Sequence, residues 1–208
     1  MSASDSINLW PGGRRKLMKD PAFGPLVKAV GPIKWPSGTE EPFFYLVRAI
    51  VYQQLAGKAA ATIHGRVIDA LKEDVSPAKV LRVRETTLRK AGLSRNKLAA
   101  IRDLAAKVRS GEVELHDLHE QSDDEVERRL VLVKGIGPWT AHMYMMFRLH
   151  RPDVWPVGDL GVRMGLAKLL GLDGEPTQKE MEPLGDPYRP WRSAAAWYCW
   201  RALETETS

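Results

Sequence analysis

The residues whose types and spacing could do chemistry fall mostly between Leu132 and Asp159 of this 208-residue chain. The stretch reads L-V-K-G-I-G-P-W-T-A-H-M-Y-M-M-F-R-L-H-R-P-D-V-W-P-V-G-D. Asp159 precedes L-G-V-R-M-G-L, so taken alone it is a helix N-cap. That position also lies at the positive end of a helix dipole, which favours an ionised carboxylate. A fixed carboxylate can stabilise a developing cation and position or deprotonate water. Gly135 and Gly137 bracket a second candidate. Glycine tolerates positive φ and lets a partner approach the backbone. Pro138 suits the first turn of a new helix. The free amides at such a terminus bind phosphate. Many helix pairs are joined by a bare G-x-G turn, so the motif alone leaves a structural turn and a phosphate site both open.

These residues need elements to position them. Val126, Leu130 and Val133 recur at helical spacing over 124–133, and a second, more uniformly apolar helix runs from Trp139 to about Leu149. K-G-I-G-P is then a tight hairpin between the two. Phe43 to Leu55 reads as a core helix closed by Gln53-Gln54-Leu55-Ala56-Gly57, and Lys58 to Leu71 as the next. Short helices follow at Ser76-Pro77 and over Thr86–Ala91. From Ser94 or Arg95 to Val108 the chain is amphipathic, with Leu98, Ile101, Leu104 and Val108 on one face. Its Lys97, Arg102, Lys107 and Arg109 read as a solvated face. Leu160 to Leu170 is a helix ended by Gly171, Thr177 is a candidate N-cap, and Pro190 to Leu203 is a tryptophan-rich last helix. Residues 1–13 read as a loose tail with a P-G-G turn. Arg14 to Val30 is a helical pattern broken by Pro21 and Pro25, and 31–42 is irregular or briefly extended. No strand alternation appears, so the fold class is all-α.

The formal net charge is +5, which suits a polyanionic partner without requiring one. The single cysteine, Cys199, rules out a disulfide framework and a four-cysteine iron–sulfur cluster. No apolar run approaches 18 residues and no signal-peptide core opens the chain, which points to a cytoplasmic protein with no membrane partner.

L-V-K-G-I-G-P-W-T-A followed by V-G-D-L-G-V-R resembles the helix-hairpin-helix (HhH-GPD) DNA glycosylase superfamily. P-W-R-S-A-A-A-W-Y and A-I-V-Y-Q-Q-L-A are most similar to its 3-methyladenine DNA glycosylase II branch. The matches fall in family order over roughly residues 42–202. The resemblance implies two helical lobes with an active-site cleft between them. One lobe is 1–42 with 151–208; the other is 43–150, ending in the hairpin motif at about 124–149. It implies a compact form without the larger N-terminal β-rich domain of some relatives. The implied function is monofunctional excision of alkylated purines from double-stranded DNA in base excision repair, by a monomer of bacterial type acting at the nucleoid. A mismatch or oxidised-base glycosylase of the same fold, and a non-enzymatic DNA-binding module, remain as alternatives.

By the same resemblance Asp159 is catalytic. Trp139 and Trp191 match aromatic positions of the base pocket, Met143 and Leu160 stand where relatives carry further aromatics, and Tyr144 and His142 face either pocket or core. Leu55 matches the wedge that fills the gap left by the flipped base, with Gln54 beside it, or is a buried helix-end leucine. Lys134, Gly135, Gly137 and Thr140 would hold a DNA phosphate. No cofactor is required, although backbone carbonyls of Val131, Val133 and Ile136 match a site for Na+ or K+. Relatives that cut the backbone carry a nucleophilic lysine where this chain has Trp139, so no lyase activity is expected.

Overall fold

The computed structural model describes residues 6–36 and 40–205. Its described residues are predominantly helical and divide into two units, one of residues 6–36 and 145–205, the other of residues 40–144.

In the second unit, α3 (Pro42–Tyr52) buries Phe43, Leu46, Val47, Ile50 and Val51. Each such side chain contributes roughly 1.5–3 kcal/mol on full burial. α4 (Gly57–Ala70), α5 (Pro77–Arg82), α6 (Glu85–Lys90) and α7 (Arg95–Ser110) follow. α7 buries Leu98, Ala100, Ile101, Leu104 and Ala105, the stripe its periodicity predicts. α8 (Asp123–Leu130) leads to the hairpin and α9 (Pro138–Phe147). Serines cap three of these helices: Ser76, Ser94 and Ser122 accept from the amides of Lys79, Lys97 and Glu125. Of the basic residues expected on a solvated face of α7, Lys97 and Arg102 turn inward. Arg102 donates to the carbonyls of Leu81 and Val83, and Lys97 to those of Val51 and Gln53. Long charged side chains can bury their stems and satisfy orphan carbonyls at helix ends.

Of the loose tail expected over residues 1–13, residues 1–5 lie outside the described residues, and in the first unit residues 6–13 are not loose. β1 (Ser6–Asn8) pairs antiparallel with β2 (Lys34–Pro36), Ile7 opposite Trp35, and Leu9 and Trp10 are buried. Strands this short are invisible to a search for alternation, because three residues show no period. Pro11-Gly12-Gly13 opens α1 (Pro11–Leu17) instead of forming a turn. A side chain at Gly12 would stand 2.4 Å from the Trp191 ring, so the glycines there make room for the indole. Pro25 does not break the next helix but lies in the first turn of α2 (Gly24–Val30), where its missing N–H costs nothing. α10 (Leu160–Leu170) ends at Gly171, φ 65°, as the sequence indicates. α11 (Gln178–Gly185) carries a full capping box between Thr177 and Glu180, and a 3₁₀ turn (Asp186–Tyr188) leads to α12 (Arg192–Glu204). α10 and α12 touch backbone to backbone: a Cβ at Gly165 would lie 2.0 Å from the Cys199 carbonyl oxygen.

The second unit begins by residue 40 and ends at 144, where the sequence places the lobe limits at 42/43 and 150/151. The second division falls inside α9. Tyr144 packs edge-on to Tyr45 of its own unit (5.5 Å), whereas Phe147, one turn later, stacks on Trp35 (4.2 Å) and lies 5.8 Å from Trp200.

Candidate active site

Asp159 caps α10. Its Oδ1 accepts from the Val162 amide at 2.8 Å and from the Trp200 indole N–H at 2.8 Å. The residue is 7% exposed. Gly161 lets Trp200 reach it, since a Cβ there would meet Trp200 Cδ1 at 2.8 Å. Trp200 belongs to a partly exposed aromatic row with Phe147 and Trp35. Behind it, burial and then the Asp159 charge push the Cys199 thiol far up, so this cysteine is no nucleophile. Leu160, next to Asp159, is 52% exposed.

Nothing in the sequence singles out Trp200. The last helix region carries Trp191, Trp197 and Trp200, and the P-W-R motif points to the first. Trp191, half-buried, lies against Gly12 and Gly13 of α1. The tryptophan bonded to Asp159 is Trp200.

The second unit supplies the hairpin. Gly135 has φ 81°, and an added Cβ would stand 3.0 Å from Ala100 Cβ. Gly137 is glycine for another reason: its φ is ordinary and a Cβ there would meet nothing within 4 Å, so open space fronts the first turn of α9. The Gly137 carbonyl accepts from Ala141, the Val133 carbonyl from Ile136, and Asp103 Oδ2 from the Lys134 amide at 2.7 Å. His142 Nε2 lies 3.0 Å from Glu127 Oε2, a clasp between α9 and α8, so its place is in the motif's scaffold.

Trp139 is 45% exposed in the first turn of α9, and Met143 is half-buried one turn on. Tyr144, 1% exposed against Tyr45, faces the core, the second of the two directions the sequence leaves open and not the base pocket. Thr140 is 4% exposed and its hydroxyl accepts from Gln53 Nε2 at 3.3 Å, so its side chain supports the hairpin from behind instead of meeting a ligand. Val131 and Lys134 are exposed, and Ile136 is buried.

α3 ends at Tyr52 with Gln53 as its C-cap, and Gln54 takes a left-handed conformation, φ 55°. Leu55 behind it is 38% exposed, not a buried helix-end leucine. Gln53 and Lys97, which no sequence motif marks as site residues, hold this turn. Gln53 is overshadowed by its neighbour in a Gln-Gln pair, and Lys97 is disguised by its charge.

The glycine hairpin that joins α8 to α9 makes this a helix-hairpin-helix protein. Residues 47–190 match the HhH-GPD superfamily of base excision DNA repair proteins, and the chain belongs to that family. DNA-3-methyladenine glycosylase 1 of Schizosaccharomyces pombe is 34% identical over 181 residues, which are 85% of this chain and 79% of that protein. The structure of the S. pombe 3-methyladenine DNA glycosylase Mag1 in complex with abasic DNA superposes with TM-score 0.82 at 30% identity, covering 95% of this chain and 100% of that one. A DNA-3-methyladenine glycosidase from Bacillus halodurans gives TM-score 0.83 at 33% identity, covering 96% of this chain and 93% of that one. Among the described residues no helix is long and apolar enough to cross a membrane.

Proposed function

We propose that this chain is a monofunctional DNA glycosylase that excises alkylated purines of the 3-methyladenine type from double-stranded DNA, opening base excision repair. The observation that carries the reading is the Asp159 carboxylate, fixed by Val162 and Trp200 beside the row Trp200–Phe147–Trp35.

The chemistry follows from charge. The target base leaves the stack before reaction. An alkylated purine carries positive charge, and an electron-rich ring face attracts a cation by about 0.5–2 kcal/mol. The C1′–N bond then breaks with its electron pair leaving on the base, which becomes neutral. Positive charge develops on the sugar, and the Asp159 carboxylate stabilises it. Water adds at C1′ and loses its proton to Asp159 or to solvent. The products are the free base and an abasic site. Two hydrogen bonds to one oxygen hold the carboxylate in place before charge develops.

The DNA contacts belong to the same proposal. Leu55 is the wedge and Gln54 its neighbour, a reading supported by their exposure at a left-handed turn. The Gly135–Gly137 hairpin amides, the first turn of α9 and Lys134 hold a phosphate, supported by the open space at Gly137. Trp139 and Leu160 offer exposed apolar faces to the substrate, with half-buried Met143 behind Trp139. Carbonyls of Val131, Val133 and Ile136 suit a hard monovalent cation such as Na+ or K+. The Val133 oxygen already accepts from Ile136, which leaves it one lone pair for that purpose. The protein works as a monomer in the cytoplasm.

The test is base release from methylated duplex DNA, with mass identification of the freed bases and Asp159→Asn as control. Release of 3-methyladenine or related purines by the wild type alone supports the proposal. Release of only mismatched or oxidised bases from defined duplexes would move the assignment to another branch of the fold, and no release from any duplex would leave a DNA-binding module.

A further inference from the structure

We infer that Gln53 and Lys97 are positioning residues that lock the Gln54-Leu55 turn to the hairpin, making base extrusion and backbone grip one rigid device. This rests on the glycosylase reading above.

The observation is a convergence of hydrogen bonds on one residue. Gln53 Nε2 donates to the Gly135 carbonyl at 3.0 Å and to the Thr140 hydroxyl at 3.3 Å. Lys97 Nζ donates to the carbonyls of Val51 at 2.7 Å and Gln53 at 2.8 Å. Lys97 is itself anchored, because its backbone amide is the one that Ser94 caps. Three separate parts of the unit thus meet at Gln53: the end of α3, the start of α7 and the hairpin.

A loop that merely joined α3 to α4 would need none of this. Water satisfies the last carbonyls of an exposed helix, and a left-handed Gln54 would relax to an ordinary conformation. Here the strained residue persists and the apolar Leu55 stays at the surface. Strain of this kind costs on the order of 1–3 kcal/mol and survives only where the surroundings over-determine it. The Leu55 amide closes the turn on the Tyr52 carbonyl at 3.3 Å, and Gln53 and Lys97 brace it from outside. A wedge must press into a base stack without yielding. Its reaction force has to pass into whatever holds the DNA backbone, and Gln53 joins the turn to the hairpin carbonyl and to Thr140 in α9.

The experiment compares duplex with single-stranded substrates. An unpaired base needs no wedge, so a loosened turn should penalise the duplex alone. The proteins are wild type, Gln53→Ala, Gln53→Glu, Lys97→Met and Lys97→Arg. The readouts are single-turnover base release from methylated duplex and from methylated single-stranded DNA. A third is the fluorescence of 2-aminopurine placed beside an abasic-site analogue, which rises when the stack opens. Gln53→Ala and Lys97→Met should lower release from the duplex about tenfold, the scale of one lost hydrogen bond. Release from the single strand should change less than about twofold, and most of the 2-aminopurine rise should vanish. Lys97→Arg, which can still donate to both carbonyls, should restore the duplex rate. Gln53→Glu keeps the volume but cannot donate to Gly135, and carries the test if the alanine variant unfolds. An unchanged ratio of duplex to single-strand rates in folded Gln53→Glu and Lys97→Met would overturn the inference. If wild type released no base from either substrate, the function reading would fail instead. The 2-aminopurine signal would then still decide whether Gln53 governs insertion.

Discussion

The indole N–H of Trp200 donates to Asp159 Oδ1 at 2.8 Å, across 41 residues of chain. The same oxygen accepts from Val162, so a helix cap and a tertiary contact share one atom. The sharing separates two roles. Capping needs only an acceptor, and asparagine caps about as well as aspartate. Charge stabilisation needs the carboxylate.

Asp159→Asn should therefore fold with a melting temperature close to wild type and bind an abasic-site duplex nearly as well. Its base release should fall at least about 100-fold, the scale of losing a preorganised electrostatic group. Single-turnover excision with parallel melting curves checks this. An excision rate equal to wild type in a folded variant would remove Asp159 from the catalytic role.

Trp200→Phe should be the milder lesion. It keeps an aromatic face beside Phe147 but deletes the donor to Asp159. A hydrogen bond to a charged group is worth about 1.5–3 kcal/mol, so release should drop roughly 10- to 100-fold. Trp191→Phe, altering a ring packed on Gly12 and Gly13, should act on melting more than on the single-turnover rate. Equal losses of rate in the two variants would contradict the assignment of Trp200.

The two hairpin glycines should part company. Gly135→Ala forces a side chain into φ 81° and to within 3.0 Å of Ala100, so it should lower the melting temperature. Gly137→Ala meets no atom within 4 Å and needs no unusual φ, so it should melt like wild type. It fills the space proposed for a phosphate, so it should weaken binding about equally for all DNA sequences. Salt titrations of both variants measure this, and unimpaired binding by Gly137→Ala would place the phosphate elsewhere.

Most of the helical framework is legible in the sequence because it is written in local terms. α10 can be read from Leu160 to Leu170 with its Asp159 cap and Gly171 stop, and the structure has these bounds. The exposed hairpin can be read too, since glycine and proline constrain the backbone directly. What escapes is long-range. Nothing near Trp200 in the chain says that it reaches Asp159, because the glycines that permit the approach lie on α10. Lys97 looks like surface, because sequence shows its charge but not the carbonyls of Val51 and Gln53. Residues 6–13 look like a tail because a three-residue strand has no period to detect. Tyr144 sits on an apolar helix with no polar face, so only its contact with Tyr45 reveals its direction.

Stability of the hairpin-bearing unit should depend on pH through His64. Its ring is buried edge-on to Phe44 and Tyr52, and its Nε2 has no hydrogen-bond partner among the described residues. Burial, and next the Arg48 charge, hold its pKa below the usual 6.5. The unfolded chain then binds a proton more readily than the folded one. Stability is full above the unfolded value and falls as pH drops below about 6.5, levelling once the folded state also protonates. His150, in the other unit, is lowered by burial and Arg148 and gives that unit a slope of the same sign. Melting curves from about pH 7 to about pH 5 should fall for wild type, and fall less for His64→Leu. Parallel curves for the two proteins would show that His64 does not titrate on unfolding.

Base release should be hydrolytic and leave the strand uncut. A Schiff-base glycosylase needs a neutral amine at the sugar C1′ carbon. The position matched to the family's lysine is Trp139, exposed in the first turn of α9, and an indole nitrogen is no such nucleophile. Two lysines lie on or behind the hairpin. Lys97 Nζ donates to the carbonyls of Val51 and Gln53, which holds it away from substrate. Lys134 stands five residues before Trp139, at the start of the turn, with its amide bonded to Asp103. There its ammonium suits a phosphate, where positive charge is useful and loss of a proton is not. Water guided by Asp159 is then the nucleophile. The product should be an intact strand carrying an abasic site, cleaved only by alkali or an added endonuclease. Borohydride present during turnover should trap no covalent protein–DNA adduct on a denaturing gel. A robust adduct that disappeared in Lys134→Ala would make the enzyme bifunctional and assign Lys134 the chemistry denied to it here.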